Sequence, residues 1–239
     1  MTKKTLNQNA KYVQGLVDTI EPDFIFSDKP INRFKIIENN DENTSENKTE
    51  LLLGLREKIN TIENCNLKNN SKNLILGDGD INSPIMLIGE APGKIEDDTG
   101  NSFQGEIGVL LKKMLKAINI EIEKAYTSYS INFRPPEDRK PTSKEIKRYS
   151  IFLKEHISII NPKIIILMGG TAMEAVTGLN GQISKERGKW KEIILRNKTF
   201  PIMITFSPSY LIRYPDNKKY SWEDLKKIQK KIRDLNIKI

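Results

Sequence analysis

The residues best suited to chemistry in this sequence lie in an acidic loop that is rich in glycine. Its carboxylates are Glu90, Glu96, Asp97 and Asp98, and a short apolar run at residues 85–88 comes just before them. Such a run is typical of a strand covered on both faces, and the glycines after it let a ligand approach the backbone closely. The carboxylates could bind a ligand or a metal ion. The alternative is an ordinary acidic connection between a strand and a helix.

Positive charge is concentrated in the last quarter of the sequence. The formal net charge is +8 at pH 7, and residues 184–239 alone hold fifteen Lys and Arg against six Asp and Glu. Clustered lysines and arginines displace counterions from phosphates, so this charge favours a polyanionic partner such as nucleic acid. The alternative is a lysine-rich closing helix that is simply solvated.

Composition excludes several classes of protein. The sequence is 37% hydrophobic and 29% charged, and no apolar run approaches the roughly 18 residues of a membrane span. With one cysteine, Cys65, and one histidine, an internal disulfide and a Cys/His zinc site are both excluded. The first residues lack the apolar segment of a secretory signal, so we expect a cytoplasmic protein. No dimer seam is evident, and we expect a monomer.

Three stretches divide the chain. Residues 1–37 hold a short helical pattern and predict an N-terminal helical arm. Residues 38–50 contain no apolar side chain, so they cannot bury surface to offset the entropy lost on ordering, and they predict a disordered polar linker. Residues 51–239 predict one α/β domain.

Strands and helices alternate in the predicted domain. Strands are expected at residues 85–88, 126–133, 163–168 and 201–206, and helices at residues 108–118, 143–160, 171–176 and 221–235, the last capped by Ser221. This order predicts a parallel sheet with helices on both faces, in which ligands bind at the carboxyl ends of the strands. The segments 89–105, 131–139, 169–171 and 207–213 should therefore meet in one cleft.

Three motifs at these strand ends carry a family resemblance. They are Gly89-Glu90-Ala91-Pro92-Gly93, Arg134-Pro135-Pro136-x-x-Arg139-x-Pro141-Thr142 and Ser207-Pro208-Ser209-Tyr210-Leu211-Ile212-Arg213. In this order and spacing they resemble the type 4 uracil-DNA glycosylases, from about Cys65 to the C-terminus. The resemblance implies a three-layer α/β/α fold with a four-stranded parallel sheet. It also implies binding to uracil-containing DNA, single- or double-stranded, and hydrolysis of the bond between uracil and deoxyribose after the base leaves the stack.

The resemblance assigns roles within the acidic loop. Glu90 would orient or polarise the attacking water, and Phe103 would stack on the uracil ring, an interaction of about 1–3 kcal/mol. The remaining loop residues that would bind the substrate are Ala91, Pro92, Gly93 and Asp97. The alternative for Phe103 is an aromatic residue of the core.

Other residues would contact DNA by the same resemblance. Leu211 would enter the duplex as an apolar wedge where the base leaves, and Arg213 would lie near phosphates. Arg134, Arg139 and Ser209 would bind the DNA backbone from the neighbouring loops. The alternative for Leu211 is that it anchors its loop to the core.

The sequence departs from the family at the iron–sulfur cluster. The four positions that hold cysteine ligands in the family read Ile62, Cys65, Phe133 and Tyr149. One thiolate cannot hold a cluster that takes four ligands. We therefore expect no cofactor and no metal, with packing in the vacated space and Cys65 as a plain thiol.

Two departures fall in the pocket itself. Ser207 stands where the family has a histidine that donates a hydrogen bond to the uracil carbonyl, and serine has a shorter reach. Tyr129 stands where an asparagine reads the uracil edge; Asn132 could replace it only if the strand ends early. The leading hypothesis is a DNA repair glycosylase with reduced or altered activity, acting through Glu90 and Ser207. The alternative is a binding protein of the same fold that recognises damaged or single-stranded DNA without catalysis.

Overall fold

The computed structural model describes residues 45–238, and helix α1 (Ser45–Asn60) is the first element of this part of the chain. Its start corrects the predicted linker, because residues 45–50 are helical. The reason is a contact that the sequence does not show: Lys48 is 8% exposed and its Nζ donates to the carbonyl oxygen of Ile160 at 2.9 Å. The predicted arm at residues 1–37 and the rest of the linker lie outside the described residues.

A six-stranded sheet forms the centre of the fold. The strands are β1 (Gly77–Gly79), β2 (Ile85–Gly89), β3 (Tyr126–Tyr129), β4 (Ile164–Met168), β5 (Trp190–Leu195) and β6 (Lys198–Thr205). Their order in the sheet is β1-β3-β2-β4-β6-β5. The four inner strands β3, β2, β4 and β6 are parallel, whereas β1 and β5 pair antiparallel at the two edges. The expected four-stranded parallel sheet is therefore present, and two edge strands extend it.

The sequence pattern predicted that strand β3 runs to Phe133, but the strand ends at Tyr129. Beyond it the chain turns over the end of β2, where the Ser130 amide and hydroxyl both donate to the carbonyl oxygen of Gly89, at 2.9 and 2.7 Å. The following buried residues, Ile131 and Phe133, belong to the core although they lie outside the strand. Burial without strand pairing explains the misplaced boundary.

Helices cover both faces of the sheet, as the α/β/α prediction requires. The longest, α5 (Ser143–Ile160), has the predicted bounds and begins at a Thr142 cap whose hydroxyl accepts the Glu145 amide. The closing helix α9 (Lys218–Asp234) begins before Ser221, which is 1% exposed inside it, so the predicted Ser221 cap is wrong. The remaining helices are α2 (Asn66–Asn69), α3 (Lys94–Thr99), α4 (Gly105–Lys116), α6 (Gly170–Thr177), α7 (Ile183–Glu186) and α8 (Pro208–Arg213).

Alternate residues of β2 separate the two hydrophobic layers. Met86 and Ile88 pack with α1, α5 and α6, whereas Ile85 and Leu87 pack with α4 and α9. His156 lies in the first layer, where the Tyr126 hydroxyl is 2.9 Å from its Nε2 and burial lowers its pKa to about 3. This histidine is a packing residue. In the part of the chain that the structure describes, no helix combines the length and the apolar character needed to span a membrane.

Candidate active site

A cavity of about 850 Å³ opens at the carboxyl ends of the parallel strands. All four segments that the topology predicts to meet there contribute to its wall. The residues with a predicted substrate, catalytic or DNA role that lie at this wall are Glu90, Ala91, Pro92, Gly93, Phe103, Tyr129, Arg139, Ser207, Ser209 and Arg213. The volume is ample for one nucleotide base with solvent, within the range of small-molecule sites.

Glu90 follows β2 directly and is held by the first turn of α6. The backbone amide of Thr171 donates to its Oε1 at 3.1 Å. Gly169, at φ +109°, makes room for the carboxylate, because a Cβ there would lie 2.3 Å from the Glu90 Cδ. The Gly169 amide in turn donates to the carbonyl oxygen of Thr205 at 3.0 Å. The carboxylate therefore has a fixed place between two strand ends, a position that suits orientation of a water molecule.

Phe103 and Tyr129 stack on each other within the cavity wall. Their ring centroids are 4.7 Å apart at an interplanar angle of 25°. The Tyr129 hydroxyl accepts the backbone amide of Phe103 at 2.9 Å and lies 3.5 Å from Oε1 of Glu96, and burial raises its pKa well above the usual value. Phe103 adopts φ +48°, an uncommon conformation for a bulky residue that this contact supports. Tyr129 thus covers one face of Phe103, and its hydroxyl is already engaged.

Glu96 is a site residue whose role the sequence analysis missed. Its Oε2 accepts the Gly93 amide at 3.0 Å and its Oε1 accepts the Gln104 amide at 3.0 Å. The carboxylate therefore joins the Gly93 turn to the Phe103 segment and fixes the shape of the loop. The available signal was the spacing, since Glu three residues after a helix cap is the pattern of a capping box.

Two predicted substrate residues do not face the cavity, and both predictions are wrong. Asp97 is 2% exposed, and its Oδ1 accepts the amides of Lys72 and Asn73 at 2.9 and 3.0 Å. Asn132 is 4% exposed, and its amide group donates to the carbonyl oxygen of Ile75 at 2.9 Å. Strand β3 does end early, but Asn132 serves the neighbouring chain segment and does not replace an amide in the pocket.

Ser207 caps helix α8 and lines the cavity. Its Oγ accepts the Tyr210 amide at 3.3 Å and lies 3.1 Å from the Ser209 Oγ. A hydroxyl that accepts through one lone pair keeps its hydrogen to donate. Ser207 can therefore donate to Ser209 or to a ligand in the cavity.

Basic side chains border the cavity on one side. Arg213 is exposed, whereas Arg139 pairs with Glu145 at 2.7 Å and lowers the pKa of that carboxyl to about 2. Arg134 does not line the cavity; its Nε donates to Asp138 Oδ1 at 2.7 Å. The predicted DNA contacts of these three arginines stay predictions.

Leu211 is 1% exposed, so the prediction of an exposed wedge at this position is wrong. Helix α8 buries this side chain, and the helix itself lies against α4. Its role is the anchoring one that the sequence left open. Aromatic residues that the prediction did not assign, Phe206 and Tyr210, line the cavity instead.

The four positions that hold the family's cluster ligands come together in one hydrophobic cluster. Cys65 is 4% exposed with its Sγ 3.2 Å from the Tyr149 hydroxyl, and the rings of Tyr149 and Phe133 meet edge to face at 6.3 Å. Ile62 packs against the same cluster. One thiol among apolar and aromatic side chains does not fit an iron–sulfur cluster.

Comparison with known proteins agrees with the geometry. The family model described as "Uracil DNA glycosylase superfamily" matches residues 76–229. The chain is 35% identical to a type-4 uracil-DNA glycosylase of Thermotoga maritima, over 74% of this chain and 93% of the relative. It is 33% identical to one of Sulfurisphaera tokodaii (73% and 82%) and 29% identical to one of Archaeoglobus fulgidus (71% and 87%). The chain belongs to the uracil-DNA glycosylase superfamily.

Proposed function

We propose that this protein is a DNA repair glycosylase that hydrolyses the N-glycosidic bond of uracil, or of a related deaminated base, in DNA. The observation that carries the proposal is the fixed carboxylate of Glu90 in a cavity that also holds Phe103 and Ser207. The relatives named above support the activity by their names, and the basic last quarter of the chain supports a DNA partner.

The reaction needs a water molecule and a place for negative charge. Water adds its oxygen to the sugar carbon as the glycosidic bond breaks, and the bonding electron pair leaves with the base. We propose that Glu90 orients the water and takes its proton. We propose that the hydroxyl of Ser207, which lines the same cavity, donates a hydrogen bond to the departing base.

Base binding differs from the pattern that the resemblance implies. Because Tyr129 covers one face of Phe103 and the ring is only 6% exposed, a base can stack on it only after neighbouring side chains move. The Tyr129 hydroxyl is committed to the Phe103 amide and to Glu96, so it does not read the edge of the base as an asparagine would. We infer a slower or less selective enzyme than the pocket with histidine and asparagine would be.

The second candidate function is DNA binding without catalysis. It is favoured by the two pocket positions at which hydrogen-bond donors of the family are replaced, Tyr129 and Ser207. A protein of this kind would hold damaged or single-stranded DNA against the same cavity.

One assay separates the two functions. Purified protein is incubated with uracil-containing single-stranded and double-stranded oligonucleotides, and abasic sites are cleaved with alkali. Strand cleavage that needs both uracil and protein is expected. No base release at stoichiometric protein, combined with salt-sensitive DNA binding, would refute the enzyme and support the binding protein.

We further propose that the protein works as a monomer without an iron–sulfur cluster. The support is the packing of Cys65, Tyr149 and Phe133 at the ligand positions. Freshly purified protein is expected to lack iron and to elute from a sizing column at the mass of one chain. Stoichiometric iron with the visible absorption of a cluster would contradict the first part, and elution at twice that mass the second.

A further inference from the structure

Three aromatic residues lie in contact from the cavity to the surface, and we call them the aromatic row: Phe206, Tyr210 and Tyr214. The ring centroids of Phe206 and Tyr210 are 4.8 Å apart at 28°, and those of Tyr210 and Tyr214 are 4.8 Å apart at 39°. Phe206 and Tyr210 line the cavity, whereas Tyr214 is 54% exposed. The row therefore leads outward from the place where the base would be held.

Phe206, the inner end of the aromatic row, is held in place by Arg187. The guanidinium of Arg187 lies 5.6 Å from the Phe206 centroid, and it is paired with Asp224, which is fully buried. Asp224 also accepts the Thr205 hydroxyl at 2.9 Å. Because Arg187 contacts the first ring and is itself paired with a fully buried carboxylate, the row has a rigid support.

The middle ring is held by its hydroxyl. The side-chain amide of Asn217 donates to the Tyr210 Oη at 3.0 Å, and the Tyr210 backbone is bonded to the Ser207 cap. Tyr214 is the outer end of the row, and more than half of its side-chain surface is exposed to solvent. A preorganised ring that ends a stack in this way loses little entropy when another flat ring is added.

The charge around the outer ring suits a phosphate backbone. Arg213 precedes Tyr214, and Lys218 and Lys219 follow it; all three side chains are exposed, against one nearby acid, Asp216. Bases offer π-faces of any sequence, and exposed aromatic rings beside cations are the usual platform for unpaired bases. In a duplex those faces are already stacked. The burial of Leu211 agrees with this, since α8 presents no apolar wedge for a duplex at that position.

We propose that the aromatic row stacks with unpaired bases next to the target nucleotide, so that the protein prefers single-stranded DNA. The proposal rests on the proposed function, because the row needs a strand that enters the cavity. It assigns Tyr214 as the residue that contacts a flanking base and selects the form of the DNA. Stacking on Tyr214 does not require the flanking base to be uracil.

Binding by fluorescence anisotropy tests the row directly, with single-stranded and duplex oligonucleotides of one sequence. Tyr214→Ala is expected to weaken single-strand binding about tenfold to hundredfold, the range for loss of one stacked base, and to leave duplex binding nearly unchanged. Tyr214→Phe keeps the ring and is expected to bind as the unmodified protein does. Trp222→Ala removes an exposed aromatic outside the row, on α9, and serves as the matched control.

Three results would overturn the inference. They are unchanged single-strand binding in Tyr214→Ala, equal losses for both forms of DNA, and an equal loss in Trp222→Ala. Because these affinities are measured without base release, they stand apart from the glycosylase assay. If the protein releases uracil and Tyr214→Ala does not change DNA binding, only the inference about the aromatic row is refuted. If single-strand affinity depends on Tyr214 but no uracil is released, only the proposed glycosylase activity is refuted.

Discussion

Glu90→Gln should lower the rate of uracil release by about a hundredfold to ten-thousandfold, the usual contribution of a group that moves a proton in the transition state. Glutamine keeps the shape of the side chain and can still accept the Thr171 amide at the position of Oε1. It cannot take a proton from water. Single-turnover rates at saturating protein give the chemical step, and anisotropy shows whether DNA binding persists.

The control for this change is Glu106→Gln. Glu106 also borders the cavity, but it is exposed in the first turn of α4, so the substitution removes the same charge away from the Thr171 contact. Its rate should stay near that of the unmodified protein. Equal losses in the two variants would mean that the cavity responds to net charge and not to a water-orienting carboxylate.

Gly169→Ala gives the same loss by an indirect route. The added Cβ would lie 2.3 Å from the Glu90 Cδ, and φ +109° is strained for alanine, so the carboxylate must move. A displacement of about 1 Å can cost about a hundredfold in rate. Gly170→Ala is the matched control, because nothing lies within 4 Å of its added Cβ. Full activity in Gly169→Ala would show that the position of Glu90 is not critical.

Ser207→His should raise the rate of uracil release by about a hundredfold, since one well-placed donor to a developing anion is worth about a hundredfold to a thousandfold. An imidazole reaches farther into the cavity than a hydroxyl, and it can stabilise negative charge on the departing base. The measurement is again the single-turnover rate on uracil-containing DNA. The substitution also removes the cap of α8, at a cost of about 0.5–2 kcal/mol, so thermal unfolding is followed in parallel.

Ser209→His provides the comparison for this gain. Ser209 lines the same cavity and contacts Ser207. The substitution Ser209→His therefore introduces an imidazole two residues away and leaves the Ser207 cap of α8 in place. Only the change at Ser207 should raise the rate. If the folded Ser207→His variant is no faster, the missing donor does not limit the rate of uracil release. The stacking of Tyr129 on Phe103 would then be the next feature to test as the cause of a low rate.

The sheet was predictable where apolar residues run without a break. The apolar runs at residues 85–88 and 163–168 predict buried parallel strands, and the cavity lies at the carboxyl ends of these strands. The edge strands were not predictable in the same way: β1 is Gly-Asp-Gly, and β5 alternates between partly buried and exposed residues. Such strands form by backbone pairing with β3 and β6, and the only apolar run in either of them is the three-residue segment 193–195 of β5.

The site was predictable as far as position along the chain decides it. Glu90 and Ser207 lie at strand ends, and the topology alone brings them to one cavity. Asp97, Asn132 and Leu211 were misplaced because their roles depend on which way a side chain turns outside a regular strand. Asp97 turns toward the amides of residues 72–73, and Leu211 turns into the core. Such choices are made by tertiary contacts, which local spacing does not record.

The packed group of Ile62, Cys65, Phe133 and Tyr149 has a consequence for the evolution of this chain. Metal ligands are constrained one by one, because each coordination bond requires a particular atom at a particular distance. A packed group is constrained mainly in its total volume and polarity, so one side chain can shrink where a neighbour grows. These four positions are therefore free to vary together among the descendants of this sequence.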